Sequence, residues 1–444
     1  MKSKLLNLGL ISILAFSSLY GCKGNDGGTE SPIAESKNEQ GSKISDIKLR
    51  FSWWGGDERN TSTADVIKQF EALNEGVKIE AEYGGNDGYH DKLATQLASG
   101  TAPDIIQVDP EIFPTYVTTG DYFVDIKEFD IDLTGFDEKY ISQEVNGRFD
   151  GKQLGLPTGI SGAGILVNKD LLESLNIDLT KPYTWGDLIT YGKEFHEKNP
   201  ENYLISTNKE YTTNLVLFNY VKQLCGGSIY SKDTGKLVMT EDELKEALLY
   251  IKALYDNNVI PPASYQAAYV GDDLQSDANW IDGKYGANLV YVSTIDVMVA
   301  ANPEGEYYMG ELPMLADAKN AGWGSNTPQV LAVTKTSSNS EVAVDFLDYF
   351  FNNEDALLTL GVTRAVPPTA KAREICSKND LMTDVTKNGA DIAAAAGGTT
   401  NDKISSSPEA KSILCDAVEA IGYGAGTPVE VATSTYELLK ELEQ

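Results

Sequence analysis

Between Ile47 and Val108 the spacing of apolar residues switches four times between the strand period of two and the helical period of about 3.6, and that alternation narrows the possible folds more than any other feature. Ile47, Leu49 and Phe51 alternate with Lys48, Arg50 and Ser52, the pattern of a strand with one buried face. Val66, Phe70 and Leu73 then recur at helical spacing, behind a Ser62-x-x-Asp65 pattern that reads as a capping box opening a helix. Residues 77–83 alternate again, a Gly/Asn loop follows at 84–90, and Leu93 and Leu97 mark a second helix. Ile105 to Val108 is a short apolar strand ending in Asp109-Pro110. Strand, helix, strand, helix, strand in this order predicts a parallel sheet with helices on both faces, an α/β fold.

The first strand runs into Trp53-Trp54-Gly55-Gly56-Asp57-Glu58-Arg59. These residues are expected in a strand-to-helix loop, and loops at the carboxyl ends of strands are where open α/β sheets bind ligands. Alternation with Phe51 puts Trp53 on the core side and Trp54 on the other. An open indole beside Asp57, Glu58 and Arg59 suits a sugar, whose apolar ring face stacks on an aromatic plane while its hydroxyls take charged hydrogen-bond partners.

The chain begins like an exported protein. Lys2 and Lys4 precede an apolar stretch at 5–16, of signal-peptide length and too short for a confident span. Leu19-Tyr20-Gly21-Cys22 resembles a bacterial lipoprotein processing site, with Cys22 taking the lipid and becoming the mature N-terminus. Residues 23–45 are polar and aperiodic, as in a flexible tether. A formal charge of −30 argues against nucleic acid as a partner. Cys225, Cys376 and Cys415 allow one disulfide at most, match no zinc spacing, and fit buried free thiols best.

Further along come Gly100-Thr-Ala-Pro-Asp-Ile-Ile, Gly155-Leu-Pro157, Gly162-Ala-Gly-Ile-Leu-Val-Asn-Lys-Asp170, Trp280-x-x-Gly-Lys-Tyr285 and Gly310-Glu-Leu-Pro313. In order and spacing they resemble the extracellular solute-binding proteins of bacterial ABC sugar importers, family 1, of the maltodextrin-binding type. The resemblance implies a two-lobe periplasmic-binding-protein-like fold, each lobe a mainly parallel sheet flanked by helices, with a hinge between. It divides the chain into a signal peptide at 1–21, a lipidated tether at 22–45, a first lobe from 46–157 and 314–352, and a second from 158–313 and 353–444. Crossings fall near Pro157, Pro313 and Asn352. It also implies a monomer on the outer face of the cell membrane, taking an oligosaccharide without cofactor or metal and passing it to permease subunits.

Competing chemistry finds little footing. His90 and His196 form no metal pair, Gly159-Ile-Ser-Gly-Ala163 fails the nucleophile elbow, and no phosphate loop occurs. A secreted glycoside hydrolase or lyase, needing only two carboxylates, stays open, as does a carbohydrate-sensing surface module. For a binding protein each half should supply contacts. The first contributes Trp54, Asp57, Glu58, Arg59, Asp109 and Glu111. From the second come Asn214, near the start of an apolar helix, and Tyr291, which matches the family's stacking aromatic. Trp323, flanked by glycines, is read as a third platform, and Arg364 sits where the family places a polar residue. Thr184-x-x-Asp187, Thr240-x-x-Glu243, Ser338-x-x-Glu341 and Thr427-x-x-Glu430 are expected to open capped structural helices.

Overall fold

The computed structural model describes residues 47–85, 88–269 and 273–443. The signal peptide, Cys22 and the tether lie outside the described residues, as do two positions of the 84–90 loop. The opening run is β1 (Ile47–Trp54), helix α1 (Asp57–Leu73), β2 (Val77–Gly84), helix α2 (Tyr89–Ser99) and β3 (Ile105–Val108). A hairpin of β4 (Arg148–Phe149) and β5 (Lys152–Gln153) precedes β6 (Leu156–Pro157). After it come β7 (Ala163–Asn168), β8 (Tyr203–Ser206), β9 (Tyr285–Tyr291), β10 (Tyr307–Gly310) and β11 (Val330–Val333).

Two sheets carry the molecule: a five-stranded one in the order β2-β1-β3-β11-β6 and a four-stranded one in the order β10-β7-β9-β8. Both are mixed. β2, β1 and β3 are parallel, as their helical crossovers require, but β11 lies antiparallel to β3 and β6. In the second sheet only β8 and β9 run parallel. The expectation of two mainly parallel sheets is therefore corrected. β11 enters the first sheet, and β7 the second, from the other half of the molecule rather than through a β-α-β crossover.

Alternation along the first sheet sends side chains to two cores. Leu49, Phe51, Trp53, Ile105, Leu331 and Val333 pack with Val66 and Phe70 of α1. Ile106, Val108, Val330 and Ala332 face the other way, onto Leu93 and Leu97 of α2. Helices thus cover both faces, as the opening period predicted. A third core surrounds the second sheet.

The capped helices start as expected at three sites: Thr184, Thr240 and Thr427 each form a complete capping box. Replacing Thr240 with Ala is expected to cost about 1 kcal/mol in urea unfolding; an unchanged midpoint would show the box to be idle. Two other boxes do not form. α1 begins at Asp57, so Ser62 is interior to it and its hydroxyl meets Thr363 Oγ1 at 3.0 Å. Asn60 holds this early start: Trp53 Nε1 donates to its Oδ1 at 2.9 Å and its Nδ2 donates to Gly55 O at 3.2 Å. Acidic Asp57 and Glu58 suit the positive end of the helix dipole. The helix Ser340–Asn352 likewise starts past Ser338 and lacks a side-chain cap.

The chain passes between the sheets three times, and the passages hydrogen-bond to one another. Ser161 bridges to Asn326, Ile160 bridges to Val366, and Thr158 N donates to Gln329 O at 3.0 Å. The first passage follows Pro157, at the end of β6. The second comes later than Pro313 because buried Gln223 detains the chain. Its Oε1 accepts from Leu315 N at 2.8 Å and its Nε2 donates to Pro313 O at 3.2 Å and Ala321 O at 3.0 Å. The third also falls beyond Asn352, since the helix Glu354–Leu360 buries Ala356 and Leu360 in the core shared with β1.

Candidate functional site

Where the passages meet the two sheets, the protein forms a half-open cavity of about 240 Å³. Antiparallel pairing sets Ala163, at the start of β7, opposite Tyr291, at the end of β9, and both border it. Pro110 and Glu111 reach it from the turn after β3 in the first sheet. Ser161, Gly162, Gly324 and Asn326 belong to the first two passages. Asn214, Leu215, Asn219 and Lys222 come from one helical stretch. Thr400, Asn401, Ser406 and Lys411 complete the wall from the C-terminal region.

The helical stretch explains its own contribution. A wide π turn at Thr212–Leu217 joins the helix Phe218–Cys225, and such turns concentrate at functional sites. It brings Asn214, Asn219 and Lys222 to one wall, although neither a period of 3.6 nor one of two connects all three. Two close backbone contacts shape the wall that adjoins it. A methyl group on Gly324 would meet the Thr399 carbonyl at 2.6 Å, and one on Gly398 would meet the Trp323 backbone at 2.5 Å. Glycine at both positions lets the second passage lie against the 397–400 loop.

Glu111, Asn214, Tyr291 and Trp323 are thus brought together. Tyr291 is half-buried, with its ring 5.3 Å from that of Tyr211. Trp323 borders the cavity but is only 2% exposed. It stacks on Trp185 at 5.7 Å and donates from Nε1 to Pro313 O at 3.0 Å. Its glycine neighbours serve close backbone approach rather than exposure, so its indole is a core element and not an open platform.

The other candidates lie elsewhere. Trp54 is half-buried at the end of β1, its ring 5.0 Å from Tyr89 and 4.9 Å from His90. Asp57 and Glu58 are exposed in the first turn of α1, not in a loop. Arg59 Nη1 donates to Trp54 O at 3.2 Å. Asp109 caps its own turn, accepting from Glu111 N at 2.8 Å. Arg364, 5% exposed, donates to Gln107 Oε1 at 2.5 Å and Thr63 Oγ1 at 2.8 Å, and lies over the Phe350 ring. It pins the third passage to the first sheet and is structural; burial, with Arg59 nearby, weakens its hold on its proton.

Lys222, Asn219 and Asn326 are the residues sequence reasoning missed. The available signal was polar side chains interrupting the apolar run from Leu215 to Leu224. Lys222 is 4% exposed, and burial pulls its pKa from 10.5 down to about 8. In the unfolded chain the same ammonium stays protonated up to about 10.5. Between these values the unfolded state binds more protons, so stability rises with pH there. Relative to Lys222→Met, the wild type is expected to fare worst below about pH 8 and to close the gap towards pH 10.5. Urea unfolding of both proteins across that range checks this, and a constant gap would contradict it.

Comparison with known proteins accords with this architecture. The solved structure of an extracellular solute-binding protein, family 1, from Alicyclobacillus acidocaldarius superposes with a TM-score of 0.79 at 21% identity, covering 90% of this chain and 99% of that one. A diacetylchitobiose-binding protein of Streptomyces coelicolor is 24% identical over 357 residues, 78% of this chain and 77% of its own length. An arabinooligosaccharide-binding protein of Halalkalibacterium halodurans is 23% identical over 299 residues, 63% of this chain and 61% of its own. The model of the family described as bacterial extracellular solute-binding protein matches residues 55–357. With two mixed sheets joined by three hydrogen-bonded passages and a cavity at their junction, the chain belongs to the bacterial extracellular solute-binding protein family.

Proposed function

We propose that the protein captures an oligosaccharide between its two lobes and hands it, chemically unaltered, to the permease subunits of an ABC importer. The observation that carries this reading is a cavity lined at once by the turn that follows β3 of the first sheet, by β7 and β9 of the second and by the passages between them. A ligand seated there touches both halves, so binding favours a closed arrangement and the passages act as the hinge. Asparagine, serine and threonine side chains on its wall suit sugar hydroxyls, and Tyr291 offers a ring for stacking. The cavity is open to solvent on one side, which leaves room for a chain longer than the unit it holds. The two curated relatives bind sugars by name, an arabinooligosaccharide and diacetylchitobiose.

Hydrolysis has less support. A glycosidase flanks its scissile bond with two carboxyl groups, and Glu111 is the one carboxylate among the cavity's described lining residues. Among the described residues no helix is long and apolar enough to cross a membrane. In this reading a lipid on Cys22 holds the protein at the outer membrane face, as the lipoprotein-like Leu19-Tyr20-Gly21-Cys22 suggests.

Titration calorimetry against neutral and charged oligosaccharides, with X-ray scattering on the same samples, tests the reading. Binding near micromolar, about −8 kcal/mol, with a smaller radius of gyration is expected for at least one sugar. A folded protein that neither binds nor changes shape with any of them would overturn it.

A further inference from the structure

Lys222 sits in the cavity wall without a counter-charge. Its Nζ donates to Thr399 O at 2.9 Å, and among the described residues it forms no ion pair. An ammonium has three donors to satisfy, and this one has a single neutral acceptor in the structure. Asp402 acts on it only through space. Its two oxygens already accept from Tyr230 N at 3.0 Å and Ser405 N at 2.8 Å. Burying an unpaired cation is costly, and most such groups acquire a partner. Glu111 comes from the opposite half of the cavity and is exposed.

A second observation points to the same ligand charge. The helix Pro408–Gly422 starts at the cavity, with Ser406 just before its Ser407 cap and Lys411 in its first turn on the lining, so its positive dipole end and Lys222 border the same space. Two lysines and a helix N-terminus thus converge on one cavity in a chain whose formal charge is −30. Asn219 and Asn214 on the same wall are neutral and serve hydroxyls equally well.

We propose that the cavity receives a sugar unit bearing a carboxylate, of the uronic acid class, and that this carboxylate pairs with Lys222. The proposal rests on the oligosaccharide reading and deepens it. A monodentate lysine beside neutral amides fits a single carboxylate on a hydroxyl-rich ring. A phosphate more often meets arginine forks, and no arginine is among the described residues that line this cavity.

The test uses the full chain and calorimetry with di- to tetrasaccharides of glucuronic, galacturonic and mannuronic acid. Each is measured beside its methyl ester, and neutral hexose and pentose oligosaccharides are included. At least one acid is expected to bind about tenfold or more tighter than its ester, the worth of one charge-assisted hydrogen bond. In Lys222→Met that acid-to-ester ratio is expected to fall to near one. The wild-type comparison stands by itself if the variant fails to fold. Neutral sugars binding while every acid merely equals its ester would overturn the proposal and leave the oligosaccharide reading intact. It would also assign the Lys222 charge to a partner within the protein, Glu111 first. A ratio unchanged in Lys222→Met would likewise overturn it. If no saccharide of any kind binds folded protein, both readings fall together.

Discussion

Replacing Trp323 with alanine is expected to destabilise the protein by about 3–5 kcal/mol, the range for a buried tryptophan truncated to alanine. The indole is 2% exposed, stacks on Trp185 and satisfies the Pro313 carbonyl. Truncation therefore opens a cavity, removes a ring–ring contact and takes from the Pro313 carbonyl one of its two donors, leaving Gln223 Nε2. The damage should spread, because Trp185 Nε1 in turn donates to Gln223 Oε1 at 2.9 Å, and Gln223 holds the start of the second passage against the helix Phe218–Cys225. Urea unfolding followed by tryptophan fluorescence checks it. A variant as stable as the wild type but unable to bind sugar would instead restore Trp323 to the role of open platform.

Tyr291→Ala is expected to behave the other way round, weakening oligosaccharide binding about 30-fold, or about 2 kcal/mol, as for an aromatic anchor at the centre of a contact. The side chain is half-buried, with its ring supported by Tyr211 at the cavity edge. Because it ends β9 rather than filling the core beneath, stability should fall by far less than in Trp323→Ala. Calorimetry paired with unfolding curves separates the two outcomes. Retention of wild-type affinity in a folded Tyr291→Ala protein would move the stacking contact elsewhere, with Trp54 the next ring to examine.

These two aromatics differ in what their local sequence says about them. The sequence expects Tyr291 at the end of a strand, and β9 does end there at the cavity edge; its stacking on a ligand is what Tyr291→Ala tests. Trp323 differs because flanking glycines, which weaken any element around them, read as a sign against burial. The same glycines allow two backbone segments to touch, and touching backbones bury whatever lies between. Arg364 misled in a related way. A lone arginine in a loop reads as surface, yet here Gln107 and Thr63, more than 250 residues away in the chain, supply its acceptors.

Period and capping chemistry determined the β-α-β-α-β opening, the two-sided cover of the first sheet and the boxes at Thr184, Thr240 and Thr427, because each depends on residues within a turn or two. Tertiary structure alone decided the mixed pairing of the sheets, the late second passage and the convergence of Glu111, Lys222, Tyr291 and Asn326 on one cavity. Those features join segments far apart in the chain. Nothing in a residue's immediate neighbours records which distant segment will pack against it.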